Sequence, residues 1–376
     1  MERRRLTPRK DYQAIIEGLG FNFHHDYWLE DACYCFTVRE VDEIERATKE
    51  CYDMYCEATE VCLKDDKLLQ ELCIPPVMWE AIRRSWEEDD LSLYGRFDFV
   101  LDHGIPKLLE FNADTPTSLI EASLIQWQWK EQVYPDNDQY NGIEEGLVQS
   151  WRDIHQVYQQ DVYYFTSVMD CEEDNATLAY LLYTAQLAGL TVAEMDIESV
   201  YLDDGSLYVC SQEVFEAGGG EAINCMFKLF PWETMFKNYP DSCLTEMCWI
   251  EPLWKSLMSN KAMLPILYRM FPNSPYILPA FREEGKLRSY CKKPIFSREG
   301  ANIELIRNGA CLGKSDGEYG EEGYIYQELV DVQSYHGKYP VLGSWVIGGE
   351  PGGMGIRETA GRITDNMSHF VPHIIL

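Results

Sequence analysis

The sequence has no long apolar run, no CxxC pair and far fewer basic than acidic residues. Its most apolar stretch, LAYLLYTAQLAGLTV (178–192), falls short of the roughly 20 residues a spanning helix needs, and it contains Gln186 and two threonines. It reads as a packed helix. The N-terminal MERRRLTPRK is basic, but no hydrophobic segment follows it, which excludes a secretory signal. Thirteen cysteines are scattered without histidines at zinc-ligand spacing, so the expectation is reduced thiols in a cytoplasmic protein. With 32 Lys and Arg against 63 Asp and Glu, the formal net charge is −31. A surface of that sign repels phosphate backbones and anionic lipid, which sets nucleic-acid and membrane partners aside, and it attracts cations such as polyamines. The same acidity also serves simply to keep a protein soluble. No internal repeat or low-complexity linker interrupts the chain, so its domains are expected to interleave.

What is present is an ordinary complement of core-forming residues, 46% hydrophobic and 25% charged. Apolar positions recur every three to four residues in VDEIERATKECYDMYCEATEVCLKDDKLLQELC, which makes residues 1–90 mainly helical as far as the Pro75–Pro76 break. Residues 160–230 alternate β-rich runs (DVYYFTSV, SVYLDDGSLYV, AINCMFKLF) with a helix at ATLAYLLYTAQLAG, the rhythm of an α/β domain. The segment YGRFDFVLDHGIPKLLEFNADTPTS (94–118) switches to period-two alternation. With DHGIP as a five-residue turn around Gly104 and Pro106, Leu101 pairs with Lys107, Asp98 with Glu110 and Arg96 with Asn112. Arg96, Asp98, Glu110 and Asn112 then share one face, and Phe97, Phe99, Leu109 and Phe111 the other. A helix follows, with Pro116 near its start and Glu121 in its first turns.

Acids opposite each other on neighbouring strands repel. A divalent cation removes that penalty, and two carboxylates with an amide oxygen are hard donors that leave room for water and phosphate oxygens, as Mg²⁺ requires. Arg96 beside them offers a charge-assisted donor to a phosphate or an oxyanion. On spacing alone, the same face fits a solvated acidic surface with Arg96 paired to an acid. Downstream, SYCKKPIFSREGAN reads as a strand carrying Lys293 and then a loop with Ser297, Arg298 and Gly300, a way to grip polyphosphate although the Walker pattern GxxxxGK[ST] is absent. SNKAMLPIL opens a helix at Lys261, with Ser259 or Asn260 as cap. GYIYQELV (323–330) is a strand able to offer backbone groups to an adenine edge, and equally a plain core strand. GGEPGGMGIRE is glycine-dense, reads as flexible, and carries Arg357 as a second phosphate cation. Opposed acids, separated lysines and a glycine loop together describe a magnesium–nucleotide site.

RFDFV, LLEFNADTPTSLIEA, FKLFPWE, SNKA, KPIFSREGAN and GIRE together resemble the glutathionylspermidine synthetase family, specifically its ATP-dependent synthetase domain, over essentially the whole chain. The resemblance implies an α+β, circularly permuted ATP-grasp fold with an α/β pre-ATP-grasp-like domain and a helical N-terminal region. The implied division is 1–90 helical, 91–120 with 250–376 for nucleotide and magnesium, and 121–249 as an inserted α/β substrate-side domain. It makes Asp98, Glu110 and Asn112 the ligands of two Mg²⁺ ions and Arg96 the transition-state stabiliser. Arg96, Phe97, Asp98, Lys261, Lys293, Gly300, Gln327, Glu328 and Arg357 become contacts of ATP, with Gln327 and Glu328 at the adenine hinge and Gly300 in the loop over the phosphates. Thr115 and Ser118 become contacts of a glutathione-like acid, and both also suit helix caps. The implied reaction is ATP-dependent amide formation between two small molecules, a peptide-like acid and a polyamine-like amine, through an acyl phosphate. The SREGAN loop and the glycine-dense segment are expected to close over the site as lids. Bifunctional relatives carry an amidase domain, for which this sequence has no room, so a stand-alone synthetase is expected. The alternatives are a non-catalytic Mg-ATP-binding regulatory protein and a kinase-like enzyme that joins no amine.

Overall fold

The hairpin at residues 94–112 is the spine of the molecule. The computed structural model describes residues 1–22, 27–167, 172–216, 218–364 and 368–376. Strands Tyr94–Asp102 and Ile105–Asn112 pair antiparallel, with Asp98 across from Glu110 and Arg96 across from Asn112 as the alternation predicts. Past that point the register shifts: Phe99 faces Leu108, and Leu101 faces Pro106 rather than Lys107. The turn is two residues, not five. His103 and Gly104 both take positive φ, 49° and 85°, the pattern of a primed turn whose twist matches the strands it joins. The surplus residue is absorbed in a bulge, which turns Leu109 away from the core, while Leu108 takes the buried place at 0% exposure.

The strand Tyr94–Asp102 also pairs with Tyr339–Ile347, which pairs with Glu350–Thr359 and so reaches His369–Phe370, completing a five-stranded antiparallel sheet. One face of this sheet is aromatic: the Phe97 and Phe111 rings stack at 3.9 Å, and Tyr55 meets Phe111 at 5.1 Å. Tyr55 comes from the long helix Val38–Leu63, whose buried Val41, Ile44, Cys51, Tyr55, Ala58 and Cys62 follow the helical period. Thr37 and Glu40 close its N-terminus with a capping box. The first 90 residues are not helical throughout, since Glu2–Arg5 and Ala32–Phe36 join His373–Ile375 in a three-stranded sheet.

A second five-stranded antiparallel sheet has the order Ala280–Phe281, Tyr324–Glu328, Ser289–Pro294, Glu304–Arg307, Ala310–Lys314. A parallel sheet of Cys248–Ile250, Cys225–Leu229, Tyr163–Ser167 and Val192–Asp196 packs with helices Ile143–Tyr158 and Glu172–Leu187, the α/β unit that the alternating runs predict. Val168, at the end of the first of those runs, lies outside the described residues. Among the described residues no helix is long and apolar enough to cross a membrane.

The glycine-dense segment is not a lid. Gly348 and Gly349 form a turn at positive φ, and the rest is the strand Glu350–Thr359, with Met354 and Ile356 at 0% exposure. Its glycines permit close packing, not motion: a Cβ on Gly355 would lie 2.8 Å from the Phe370 ring, and one on Gly353 would lie 3.0 Å from the Tyr140 carbonyl.

Candidate active site

A cavity of 310 Å³ opens between the two five-stranded antiparallel sheets. Twelve of the thirteen residues singled out in the sequence line it: Arg96, Asp98, Glu110, Asn112, Thr115, Ser118, Lys261, Lys293, Gly300, Gln327, Glu328 and Arg357. Phe97 does not. Strand alternation turns its ring into the aromatic layer under the Val38–Leu63 helix, at 0% exposure. Leu109, expected on that core face, lines the cavity because of the bulge.

Asp98 is 3% exposed and sits between two arginines. Arg96 Nε donates to Asp98 Oδ1 at 2.7 Å, and Arg357 Nη2 donates to Oδ2 at 3.0 Å. Arg96 Nη1 donates to the Thr117 carbonyl at 2.5 Å, and its guanidinium lies 5.8 Å from the Trp345 ring centre. Burial opposes the charge on Arg96, and Asp98 more than restores it, so the guanidinium stays above its ordinary pKa. Across the hairpin, Glu110 Oε2 is 3.0 Å from Lys261 Nζ, which also donates to the Ser297 carbonyl at 2.5 Å. Burial pulls the Glu110 carboxyl upward, but Lys261 and Lys293 outweigh it and hold the pKa down at about 2. Lys293 Nζ donates to Gln327 Oε1 at 2.8 Å and to the Leu109 carbonyl at 2.9 Å, tying the second sheet to the hairpin.

Local structure explains these positions. Lys293 lies on Ser289–Pro294, where Cys291 pairs with Gln327 and Lys293 with Ile325. The helix after Lys261 is Met263–Met270, and Asn260 rather than Ser259 serves its start, accepting from the Ala262 amide at 2.8 Å. Gly300 takes φ 70°, and a Cβ there would meet the Thr364 carbonyl at 2.4 Å, so the loop after Lys293 can lie against 363–364 only with glycine at that place. Ser118 Oγ and the Tyr27 hydroxyl are 2.8 Å apart. Thr115 Oγ1 accepts from Arg298 at 2.7 Å, and Arg298 also reaches Glu233 at 2.7 Å.

Sequence reading left out Tyr27, Glu173 and Asp174, all at the cavity wall, and the pairing of the wall residue Arg298 with Glu233 behind it. Nothing in the sequence marks Tyr27. Glu173 and Asp174 do carry a signal, because they open the helix that follows the parallel strand Tyr163–Ser167, and open α/β sheets bind ligands beyond the carboxyl ends of their strands.

A family model described as glutathionylspermidine synthase preATP-grasp matches residues 3–376. A Haemophilus influenzae protein with the provisional name of acid–amine ligase is 34% identical, with 98% of each chain covered. The bifunctional glutathionylspermidine synthetase/amidase of Escherichia coli is 29% identical over 92% of this chain, which spans 60% of the length of that protein. The solved structure of a glutathione synthetase-like effector from Globodera pallida aligns with a TM-score of 0.59 at 8% identity, covering 99% of this chain and 100% of that one, a likeness of fold alone. With the family match, the two facing sheets and their cavity define an ATP-grasp-like α+β fold. The chain belongs to the glutathionylspermidine synthase family, and with it to the ligases that form C–N bonds.

Proposed function

We propose that the protein is an ATP-dependent ligase that joins a glutathione-like peptide acid to a polyamine-like amine through an acyl phosphate. The observation that carries this reading is the charge arrangement of one cavity: opposed carboxylates on the hairpin wall, Lys261 and Lys293 beside them, Arg96 and Arg357 on Asp98, and the acids Glu173 and Asp174 on the same lining. Anionic phosphates suit the cationic part, and a cationic amine suits the acids.

Asp98, Glu110 and Asn112 fit two magnesium ions by the chemistry of their donors. Asn112 Nδ2 is buried without a hydrogen-bond partner among the described residues, as expected where the amide oxygen is a ligand and its N–H meets phosphate or water. Three protein groups are few for two ions, so polyphosphate oxygens complete the set. When bound, the metal neutralises charge on the β- and γ-phosphates. Lys261 and Lys293 cancel what charge remains, with Gly300 in the loop over the phosphates and Gln327 and Glu328 at the adenine edge. Arg96, held by Asp98 and the Thr117 carbonyl, is in this reading the fixed cation that stabilises the oxyanion developing when the amine attacks the acyl phosphate. In this reading Thr115 and Ser118, both on the cavity lining, hold the peptide acid. In this reading the ATP-grasp region is permuted and built from 91–120 with 250–376, residues 121–249 form the substrate-side unit, residues 1–90 form the mainly helical N-terminal region, and the reaction is cytoplasmic.

The test measures ADP release from Mg²⁺-ATP with glutathione and spermidine supplied separately and together, with mass detection of product. The expected result is release that needs both, with an amide of their summed mass less water. ADP release with acid alone and no joined product would overturn the ligase reading in favour of a kinase-like reaction.

A further inference from the structure

Three charged or polar side chains that do not line the cavity meet in the core behind it. Arg3 Nε and Nη2 donate to the two carboxylate oxygens of Glu358 at 2.8 and 2.6 Å, and the Tyr34 hydroxyl donates to Glu358 Oε2 at 2.7 Å. All three residues are buried. The bond to Glu358 raises the Arg3 pKa above its ordinary value, and burial together with that carboxylate raises Tyr34, so both stay donors. A buried ion pair of this kind is weak evidence for stability, because its desolvation offsets its attraction and well-packed apolar side chains in its place are often as stable. What a bidentate guanidinium–carboxylate pair does supply is a fixed distance and angle.

The place so fixed adjoins the site. Arg357 and Thr359 line the cavity, and strand alternation turns Glu358, between them, to the opposite face. Arg357 Nη2 donates to Asp98 Oδ2 at 3.0 Å. Across the ladder from Glu358 stand His369 and Pro340, and Pro340 has no N–H to give. The strand ends one residue later, at Thr359, and the chain continues through Arg362, Ile363 and Thr364, also on the lining and packed at Gly300. The anchor comes from a different sheet, with Arg3 on Glu2–Arg5 and Tyr34 on Ala32–Phe36.

We propose that Arg3, Tyr34 and Glu358 are positioning residues for Arg357: by pinning the backbone beside it to the N-terminal sheet, they hold its guanidinium where it meets both Asp98 and a bound phosphate. The proposal rests on the reading of Arg357 as a phosphate cation, and it is independent of which acid and amine are joined. A shift at Glu358 carries Arg357 with it, and misplacing a binding group by about 1 Å is enough to cost on the order of 100-fold in rate. The N-terminal sheet thereby belongs to the nucleotide site although none of these three side chains touches the ligand.

The test is calorimetric titration of Mg²⁺-ATP into the full chain as wild type, as Arg357→Gln, as the apolar variant Arg3→Met with Tyr34→Phe and Glu358→Met, and as the combination of all four changes. The apolar variant leaves no buried charge unpaired, so it keeps a thermal midpoint close to that of the wild type. It nonetheless binds Mg²⁺-ATP about threefold more weakly or worse, and the same three changes add no loss once Arg357 is Gln. Tyr34→Phe alone, which spares the Arg3–Glu358 pair, shows a smaller loss with the same dependence on Arg357, and it decides the matter if the apolar variant does not fold. A purely structural role gives equal fold-losses with and without Arg357. That result, an affinity unchanged from wild type, or wild-type affinity in Arg357→Gln overturns the inference. Coupled losses in a chain that makes no amide keep the inference and overturn the ligase reading, and a wild type that does not bind Mg²⁺-ATP overturns both.

Discussion

Asp98 and Glu110 face each other across a hairpin yet differ in their partners: Asp98 is held by two arginines and Glu110 by a lysine. Replacing Glu110 by Gln keeps the shape and removes the charge. Glu110 is 27% exposed on its side chain, and Lys261 keeps its bond to the Ser297 carbonyl, so the stability loss is on the order of 1 kcal/mol or less. ADP release falls by about 100-fold or more, the size of effect seen when one preorganised charge is lost from a transition state. A thermal midpoint within a few degrees of wild type, together with unchanged ADP release, would remove Glu110 from the site. At this scale the sequence was readable where a regular period carried the information. Alternation along two strands placed Arg96, Asp98, Glu110 and Asn112 together, and it equally placed Phe97 in the core, against the nucleotide role that the resemblance gave it. Tyr27 was not readable, because its nearness to the hairpin arises from a chain crossing that no local pattern encodes.

Between elements, one buried ion pair joins the hairpin's outgoing segment to the parallel sheet. Asp114 Oδ1 accepts from Lys228 Nζ at 2.7 Å, both side chains are 0% exposed, and Asp114 Oδ2 accepts from the Trp232 amide at 2.8 Å. Lys228 also donates to the Phe230 carbonyl at 2.9 Å and lies 4.0 Å from the Trp232 ring centre. This fixes the start of the helix Trp232–Asn238, and so Glu233, which holds Arg298 beside the cavity. Lys228→Met leaves a buried carboxylate unpaired and costs about 3–5 kcal/mol. The double variant Asp114→Asn with Lys228→Met should recover much of that loss in urea midpoints, whereas additive losses would show that the two groups do not act as a pair. The elements themselves were mostly foreseen, including the long helix, the hairpin and the α/β unit. The errors share a cause: His103–Gly104 shows how a tight primed turn displaces the register assumed from a longer loop, and Gly353 and Gly355 show that a glycine run marks close packing as readily as mobility.

Across the whole molecule, buried titrating groups set how stability varies with pH. His373 on the C-terminal strand is buried and neutral, bonded to Gln126 and the Tyr140 amide, and burial lowers its pKa to about 3. Its folded pKa lies below the unfolded value of about 6.5, so its contribution is complete above that value and is lost as pH falls toward about 3, at up to about 1.4 kcal/mol per unit. Wild-type thermal midpoints should therefore drop between about pH 6.5 and 5, and His373→Gln should drop less; parallel curves would show that His373 is not the linked group. The sequence by itself determined the composition of the core, the periods of the main helix and hairpin, and the charged face of that hairpin, because each depends on residues close in the chain. Only the tertiary structure decided which distant acids and arginines meet at the cavity and which glycines pack rather than bend. Burial and long-range electrostatics exist only once separate segments have been brought together.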